Sequence, residues 1–230
     1  MGQPELVLAS NSPRRRELLA LGGWSFNTRP VEVDESQHRG EAPGTYVLRL
    51  AESKVRTCAA SPKNRGTMSA HEDLTILAAD TTVVDGKAIL GKPKDMAEAV
   101  EMLRRLRSRI HQVYTGIAVM RLCDGTLSTD LCVTDVPMRA YSEEEINTYV
   151  ATGDPLDKAG AYAIQHPQFH PVERMSGCYA SVMGLPLCHL TRTLHQIDIT
   201  PRTNISAECQ SSLNYTCPIS AAVLRGEQVG

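Results

Sequence analysis

The chain has 230 residues, of which 42% are hydrophobic and 22% charged, and its formal net charge at pH 7 is −2. A chain of this length can bury a substantial core in one domain or two lobes, but its near-neutral charge and aromatic content of 4% argue against nucleic acid as the main partner. Because no apolar stretch is long enough to span a bilayer and no secretory leader is recognisable, the sequence predicts a cytoplasmic protein that does not bind membranes.

The first predicted element is a hydrophobic strand at residues 6–8, which runs into a helix that starts at a Ser-Pro pair. Ser12 can cap this helix, whose free backbone N–H groups and dipole attract an anion. Arginines at positions 14–16 add donors that match phosphate oxygens. Successive helical residues are rotated by roughly 100°, so the three cannot reach one ligand together. Arg14 is the first candidate and Arg15 the second; the alternative is a capped surface helix with solvated arginines.

The next periodic segment predicts a helix over residues 44–60. Its apolar face recurs every three or four residues, and Lys54 falls on that face. A lysine that points into an interior is costly unless it is paired, so this position indicates a cleft that holds an anion. The alternative is a lysine that snorkels to the edge of the helix. The residues of this face are Val47, Leu50, Ala51, Lys54 and Cys58.

A strand over residues 75–79 ends at Asp80 and leads into a predicted hairpin. The pair Asp85-Gly86, flanked by apolar runs, is a strong hairpin signal. If these two residues form the turn, Lys92 lies diagonally beside Asp80. A carboxylate and an ammonium at the end of a strand predict a metal and phosphate site. A structural ion pair is the alternative.

The remaining segments alternate between helical and strand periods, which predicts an α/β fold. Residues 61–74, in contrast, are polar and turn-rich and predict an exposed loop. The other predicted elements are a helix capped by Asp95, strands over residues 115–120 and 131–139, and a helix that runs from a capping box at Ser142 and Glu145 to Ala151.

Six short blocks of the sequence together resemble one known family. In chain order they are Leu8–Arg15, Ala79–Thr81, Leu90–Pro93, Tyr114–Gly116, Pro155–Gln165 and Val182–Pro186. They resemble the motifs of the Maf family of nucleoside triphosphate pyrophosphatases and occur in the family's order over roughly residues 5 to 196. Six blocks in order are a specific signal, whereas any one of them would be weak.

The resemblance implies an α/β fold like that of the inosine triphosphate pyrophosphatases, with a mixed, twisted sheet flanked by helices and two lobes with a cleft between them. It implies a single domain over residues 1–199, with residues 200–230 as a C-terminal extension. It also implies hydrolysis of a nucleoside triphosphate to the monophosphate and pyrophosphate, assisted by a divalent cation such as Mg²⁺, Mn²⁺ or Co²⁺. A homodimer is common in such families.

The resemblance also assigns roles to individual residues. Asp80 matches the family's proposed general base, and a role as metal ligand stays open beside it. The residues that match the substrate and phosphate site are Ser10, Arg14, Arg15, Lys54 and Lys92. The acidic pair Asp34 and Glu35 falls where the family has a metal-site carboxylate, and Asp34 is the preferred candidate.

Three positions resemble the branch of the family that acts on dTTP and UTP, namely Arg14, Thr81 and Gln165. A related branch that prefers 7-methyl-GTP has Trp and Gln at the first two of these positions. The side-chain amide of Gln165 can donate and accept hydrogen bonds at once on a uracil or thymine edge. The chain departs from the family nearby, since Ala163 replaces a usual Gly and residues 166–170 replace a Gly-rich segment. These departures bear on base selectivity and not on the chemistry.

Two functions of different classes follow from the resemblance. One is the hydrolysis of pyrimidine nucleoside triphosphates. The other is a nucleotide-binding regulator of septum formation in dividing cells, with little or no hydrolysis. A regulator needs the phosphate-binding cations but could lack Asp80, so the presence of both favours an enzyme.

Overall fold

The computed structural model of the chain describes residues 5–61 and 74–230, so the predicted loop at residues 61–74 lies almost wholly outside the described residues. The strands are β1 (Glu5–Leu8), β2 (Phe26–Thr28), β3 (Leu74–Asp85), β4 (Ala88–Leu90), β5 (Ile110–Arg121) and β6 (Leu127–Pro137). The helices are α1 (Pro13–Ala20), α2 (Pro43–Ala60), α3 (Met96–Leu106), α4 (Glu143–Ala151), α5 (Tyr179–Met183), α6 (Leu187–His195), α7 (Ile205–Leu213) and α8 (Ser220–Leu224), with 3₁₀ turns at Asp154–Asp157 and Ala159–Ala161. The helices and strands expected from the sequence are confirmed, but β3 and β5 are longer than expected, and β6 starts before and ends before the expected residues 131–139.

The strands form one mixed sheet in the order β2-β1-β3-β5-β6, with β4 paired to β3 beside this path. β1 is parallel to its neighbours β2 and β3, whereas β3, β5 and β6 pair in antiparallel fashion. Parallel neighbours need crossover connections, and α1 and α2 lie in the connections from β1 to β2 and from β2 to β3. Helices flank the sheet, so the predicted α/β fold with a mixed sheet is confirmed.

Different parts of the chain cover the two faces of the sheet. α2 packs on one face against β3 and β5, while α5 and α6 pack against β5 and β6. Successive residues of a strand point to opposite faces, and Ile76 and Ala78 of β3 belong to the small apolar cluster under α2. By this alternation Asp80 faces α2, and Thr81 faces the opposite side.

The hairpin register expected from the sequence is wrong. The paired residues nearest the turn are Asp85 and Ala88, so the turn residues are Gly86 and Lys87 rather than Asp85 and Gly86. Gly86 has a φ of 64°, which two-residue hairpin turns favour at the first central position. Keeping Asp85 in the strand also places its buried carboxylate 2.7 Å from Arg105 Nε.

α2 lies directly on β5 at Gly116. A Cβ atom at this position would lie 2.8 Å from the carbonyl carbon of Val47 and 2.9 Å from the backbone nitrogen of Leu48. Both atoms belong to the backbone of α2, so the helix would have to shift to make room. Gly116 also pairs with Asp80. The absence of a side chain at Gly116 therefore allows α2 to pack close to the sheet beside Asp80.

We expect Gly116→Ala to destabilise the protein by roughly 1–3 kcal/mol, because overpacking against a backbone forces a main-chain shift. Thermal or urea unfolding measures the effect. Gly91→Ala is the matched control, since a Cβ at Gly91 would meet nothing within 4 Å. Equal stability of the two variants would show that α2 yields freely at this contact.

The chain beyond α6 packs back onto the preceding part. α7 and α8 contact α6, and Ile205 and Val223 are buried. Trp24 Nε1 donates a hydrogen bond to the Thr200 carbonyl at 3.0 Å, which ties the start of this region to the loop before β2. Across residues 5–61 and 74–230, no helix combines the length and the apolar character that crossing a membrane requires.

Candidate active site

An opening in the sheet lies where β1 ends. The pairing between β1 and β3 ends at Leu8 and Leu77. β4 pairs with the same edge of β3, but only from Val83 onward. Residues 78–82 therefore have no strand partner on this edge within the described residues. Asp80 lies in this stretch, beside the chain that leaves β1 and enters α1.

One ammonium group links two carboxylates on the α2 side of this opening. Lys54 Nζ lies 2.5 Å from Asp80 Oδ1 and 3.0 Å from Glu35 Oε1. Lys54 and Asp80 are 8% and 7% exposed, so Lys54 is an interior residue, as its helical phase predicts, and does not snorkel to solvent. Burial alone would raise the pKa of Glu35, but the hydrogen bond and charge of Lys54, with the charges of Lys92 and Arg15, hold it below its usual value.

A second polar network surrounds Arg15. Its guanidinium donates to the Gly184 carbonyl at 2.9 Å and to the hydroxyl groups of Thr81 at 3.2 Å and Ser10 at 3.4 Å. Burial lowers the pKa of Arg15, while the charge of Asp80 acts in the opposite direction. The guanidinium is thus fixed between α1, β3 and the residue that follows α5.

Thr81 is also held by its neighbour in the sheet. Its hydroxyl lies 3.0 Å from that of Thr115, the residue that pairs with it in β5. Thr115 in turn donates to the Ser181 carbonyl of α5 at 2.9 Å. These hydrogen bonds fix the Thr81 side chain on the face of the sheet opposite to Asp80.

Two of the predicted phosphate ligands, Arg14 and Lys92, make no hydrogen bond or ion pair within the described residues. Arg14 is half-buried in the first turn of α1, where its neighbour Arg15 takes the inward position. Lys92 is exposed beyond the end of β4, and its charge acts on Glu35. The contact of Lys92 with Asp80 that the sequence suggested is not formed, because β4 ends before Lys92 and Asp80 pairs with β5.

The two acidic residues before α2 occupy different positions. Asp34 is exposed, and its Oδ1 accepts a hydrogen bond from the Ser36 amide at 2.9 Å, which lowers its pKa. Glu35 instead reaches Lys54. The sequence favoured Asp34 as the metal carboxylate, whereas the structure places Glu35 at the pair of Lys54 and Asp80.

Tyr46 is a residue of this site that the sequence reasoning missed. Its hydroxyl donates to the Glu35 carbonyl at 2.8 Å. Burial, and then the charges of Asp80 and Glu35, raise the pKa of Tyr46, since its hydroxyl lies near both carboxylates. Tyr46 precedes Lys54 by two steps of four residues through Leu50, so a search of that helix face for polar groups would have found it.

Gln165 lies apart from these contacts. It is exposed in the segment that follows the 3₁₀ turn at Ala159–Ala161. The turn itself is joined to the chain before Lys92 by a hydrogen bond from the Gly160 amide to the Gly91 carbonyl at 3.1 Å. Within the part of the chain that the structure describes, Gln165 makes no side-chain contact with the network around Lys54.

The carboxylates are the groups that can hold a divalent cation. Lys54 engages one oxygen of Asp80 and one of Glu35, and the second oxygen of each has no hydrogen bond within the described residues. Such oxygens suit Mg²⁺, which one or two carboxylates commonly hold together with phosphate oxygens and water. In residues 5–61 and 74–230, no three or more Cys, His, Asp or Glu side chains are grouped to hold a metal alone. A cation here would depend on oxygens from a bound phosphate and from water.

Comparisons with known proteins show which family the chain resembles. A family model described as Maf-like protein matches residues 5–197. A dTTP/UTP pyrophosphatase of Geobacter sulfurreducens is 44% identical over 198 residues, which cover 86% of this chain and 98% of the relative. Proteins of the same name from Myxococcus xanthus and Hahella chejuensis are 46% and 43% identical over 80% and 86% of this chain, and over 88% and 94% of their own lengths. The matched range contains all the site residues described above.

Proposed function

Because the chain belongs to the Maf-like family, we propose that it hydrolyses dTTP and UTP to the nucleoside monophosphate and pyrophosphate. The relatives named above are dTTP/UTP pyrophosphatases, and the protein is accordingly a hydrolase of phosphoanhydride bonds. The observation that carries the proposal is the position of Lys54 between Asp80 and Glu35, beside the start of α1. A protein that only bound nucleotides would need cations but not this pair of carboxylates.

The phosphate site is assigned to the cations around the opening in the sheet. A triphosphate carries about four negative charges, so positioning and charge neutralisation dominate such reactions. Arg14 and Lys92 are free to bind the β- and γ-phosphates, together with the backbone amides at the start of α1. Ser10 accepts hydrogen bonds from Arg15 and the Ser12 amide, which leaves its own proton to donate to a phosphate oxygen.

The reaction requires a water molecule that attacks the α-phosphorus while the bond from this phosphorus to the bridging oxygen breaks. We assign Asp80 to accept a proton from that water, through the oxygen that Lys54 does not engage. Lys54 balances the charge of the buried Asp80 and pairs with the more exposed Glu35. A divalent cation, Mg²⁺, Mn²⁺ or Co²⁺, would be held by Glu35, or by Glu35 and Asp80 if Asp80 is a ligand instead of the base, and would add charge neutralisation at the phosphates.

The preference for pyrimidine bases rests on fewer observations. The names of the relatives support it, and the Thr81 side chain is fixed by Arg15 and Thr115. Gln165 is assigned to the edge of the base, where an amide can both donate and accept. We place the reaction in the cytoplasm, without nucleic acid or membrane as a partner, and we propose a homodimer, which sedimentation velocity would test.

Product analysis over a panel of nucleotides tests the proposed function. We expect dTTP and UTP to yield pyrophosphate and the monophosphate in the presence of Mg²⁺, Mn²⁺ or Co²⁺. In water enriched in ¹⁸O the label should enter the monophosphate, because the α-phosphorus is attacked. Release of orthophosphate, or label in the pyrophosphate, would contradict this chemistry. Faster turnover of purine triphosphates would refute only the base preference, and nucleotide binding without turnover would favour a regulator.

A further inference from the structure

The second carboxylate of the site lies in a segment without regular structure. Residues 29–42, between β2 and α2, form neither helix nor strand, and we call them the acidic loop. No strand pairing holds Glu35, so its position depends on contacts made by side chains. Those contacts come from one helix.

Three side chains of α2 hold the acidic loop at adjacent points. The Tyr46 hydroxyl donates to the Glu35 carbonyl at 2.8 Å, and Arg49 donates to the Ser36 carbonyl at 3.0 Å. Lys54 lies 3.0 Å from the carboxylate of Glu35. Glu35 is thus fixed at its backbone and at its side chain by the same helix.

Arg49 is itself firmly placed. Its Nε and one terminal nitrogen donate to the two oxygens of Glu41 at 2.6 and 2.8 Å. The same carboxylate accepts a hydrogen bond from the His38 amide at 3.1 Å. The Arg49 guanidinium also lies 5.5 Å from the ring centroid of Tyr46. Such a two-pronged contact has a defined geometry that a lysine does not reproduce.

We propose that Tyr46 and Arg49 are positioning residues, which keep Glu35 where it shares Lys54 with Asp80. The catalytic consequence rests on the proposed function, but the effect on the acidic loop does not. Without the Tyr46 hydroxyl the Glu35 carbonyl loses its donor, and the loop is held by fewer contacts. Lys54 is then paired with Asp80 alone for a larger fraction of the time. During that time the Glu35 carboxylate is absent from the site.

Hydrogen–deuterium exchange on the full chain without nucleotide tests the structural part. We expect Tyr46→Phe to speed exchange of the backbone amides in the acidic loop by about fivefold, the scale of one net hydrogen bond. Tyr215→Phe is the matched control, because the Tyr215 hydroxyl also donates to backbone carbonyls, those of Gly177 at 2.9 Å and Met175 at 3.1 Å. Unchanged exchange in Tyr46→Phe, or an equal rise in Tyr215→Phe, overturns the inference.

A double-mutant cycle tests the functional part. Tyr46→Phe should raise the Mg²⁺ concentration needed for half-maximal turnover by about fivefold, with little change in KM for dTTP. In a Glu35→Gln background the same substitution should have no further effect, because Tyr46 acts through Glu35. Arg49→Lys should behave like Tyr46→Phe. Additive effects of Tyr46→Phe and Glu35→Gln on this Mg²⁺ concentration would overturn the inference. If the wild type has no turnover, the proposed function fails, and the exchange measurement alone decides the inference.

Discussion

Asp80→Asn is expected to lower kcat for dTTP hydrolysis by about a hundredfold or more, the loss typical of a removed general base. The asparagine keeps the size of the side chain but has no negative charge for a water proton or a cation. Lys54 retains Glu35 as a partner at 3.0 Å, so the fold and the phosphate-binding cations should persist. Calorimetric titration with dTTP should therefore still detect binding to the variant.

Asp135→Asn is the matched control for this experiment. Asp135 is an exposed strand aspartate on β6, two strands away from β3, and accepts a hydrogen bond from Gln112 at 3.0 Å. Its replacement should leave kcat near the wild-type value. Near-normal turnover in Asp80→Asn would show that the ion pair with Lys54 is structural, and the proposed mechanism would be wrong.

Local periodicity explains why α2 could be predicted well. All five residues expected on its inner face are buried, among them Lys54. A helix face follows from spacing alone, since 3.6 residues per turn fix which positions share a side. The partners of Lys54 could not be read in the same way, because Asp80 and Glu35 reach it from β3 and from the acidic loop.

The error in the hairpin register changed little in the predicted site. The turn moved by one residue, so the partner of each β3 residue changed by two positions. A shift of two keeps each side chain on its own face, and the face of Asp80 is in any case set by β3 itself. Only the expected contact with Lys92 was lost, because it depended on the partner strand.

Adjacent residues of the same chemical type were the hardest to separate. The sequence favoured Arg14 over Arg15 as the phosphate ligand, yet Arg15 takes the inward position in the structure. Its acceptor is the Gly184 carbonyl, which lies 169 residues away in the chain. Asp34 and Glu35 lie in the acidic loop, which has no period to indicate which side chain points inward. In both cases a contact with a residue distant in the chain determines which side chain points inward. Such contacts cannot be read from local residue spacing.

Lys54→Met is expected to reduce stability as well as activity. From the sequence alone, a methionine suits the apolar face of α2 and is expected to stabilise it by removing an interior charge. In the structure, however, Lys54 is the cation of the buried Asp80. Removing one partner of a buried ion pair typically costs roughly 3–5 kcal/mol, which corresponds to a fall in Tm on the order of 10 °C for a chain of this size.

The double variant Lys54→Met/Asp80→Asn separates the buried charge from packing. It removes both charges, so most of the lost stability should return, since replacing a whole buried pair is often nearly neutral. Lys158→Met provides a comparison, because Lys158 is equally buried but its partners Asp154 and Asp157 are more accessible to water. It should therefore destabilise the protein less than Lys54→Met.

Nucleotide binding distinguishes the functional loss from the structural one. Ligand should raise the Tm of the wild type through linkage, by an amount that grows with the ratio of dTTP concentration to Kd. In Lys54→Met the rise should be much smaller, because the charges of Asp80 and Glu35 then repel the triphosphate without a compensating cation. The double variant should regain part of this rise, since one of the two carboxylates is gone, while turnover stays absent. A full nucleotide-induced rise and normal kinetics in a stable Lys54→Met protein would place Lys54 outside the phosphate site.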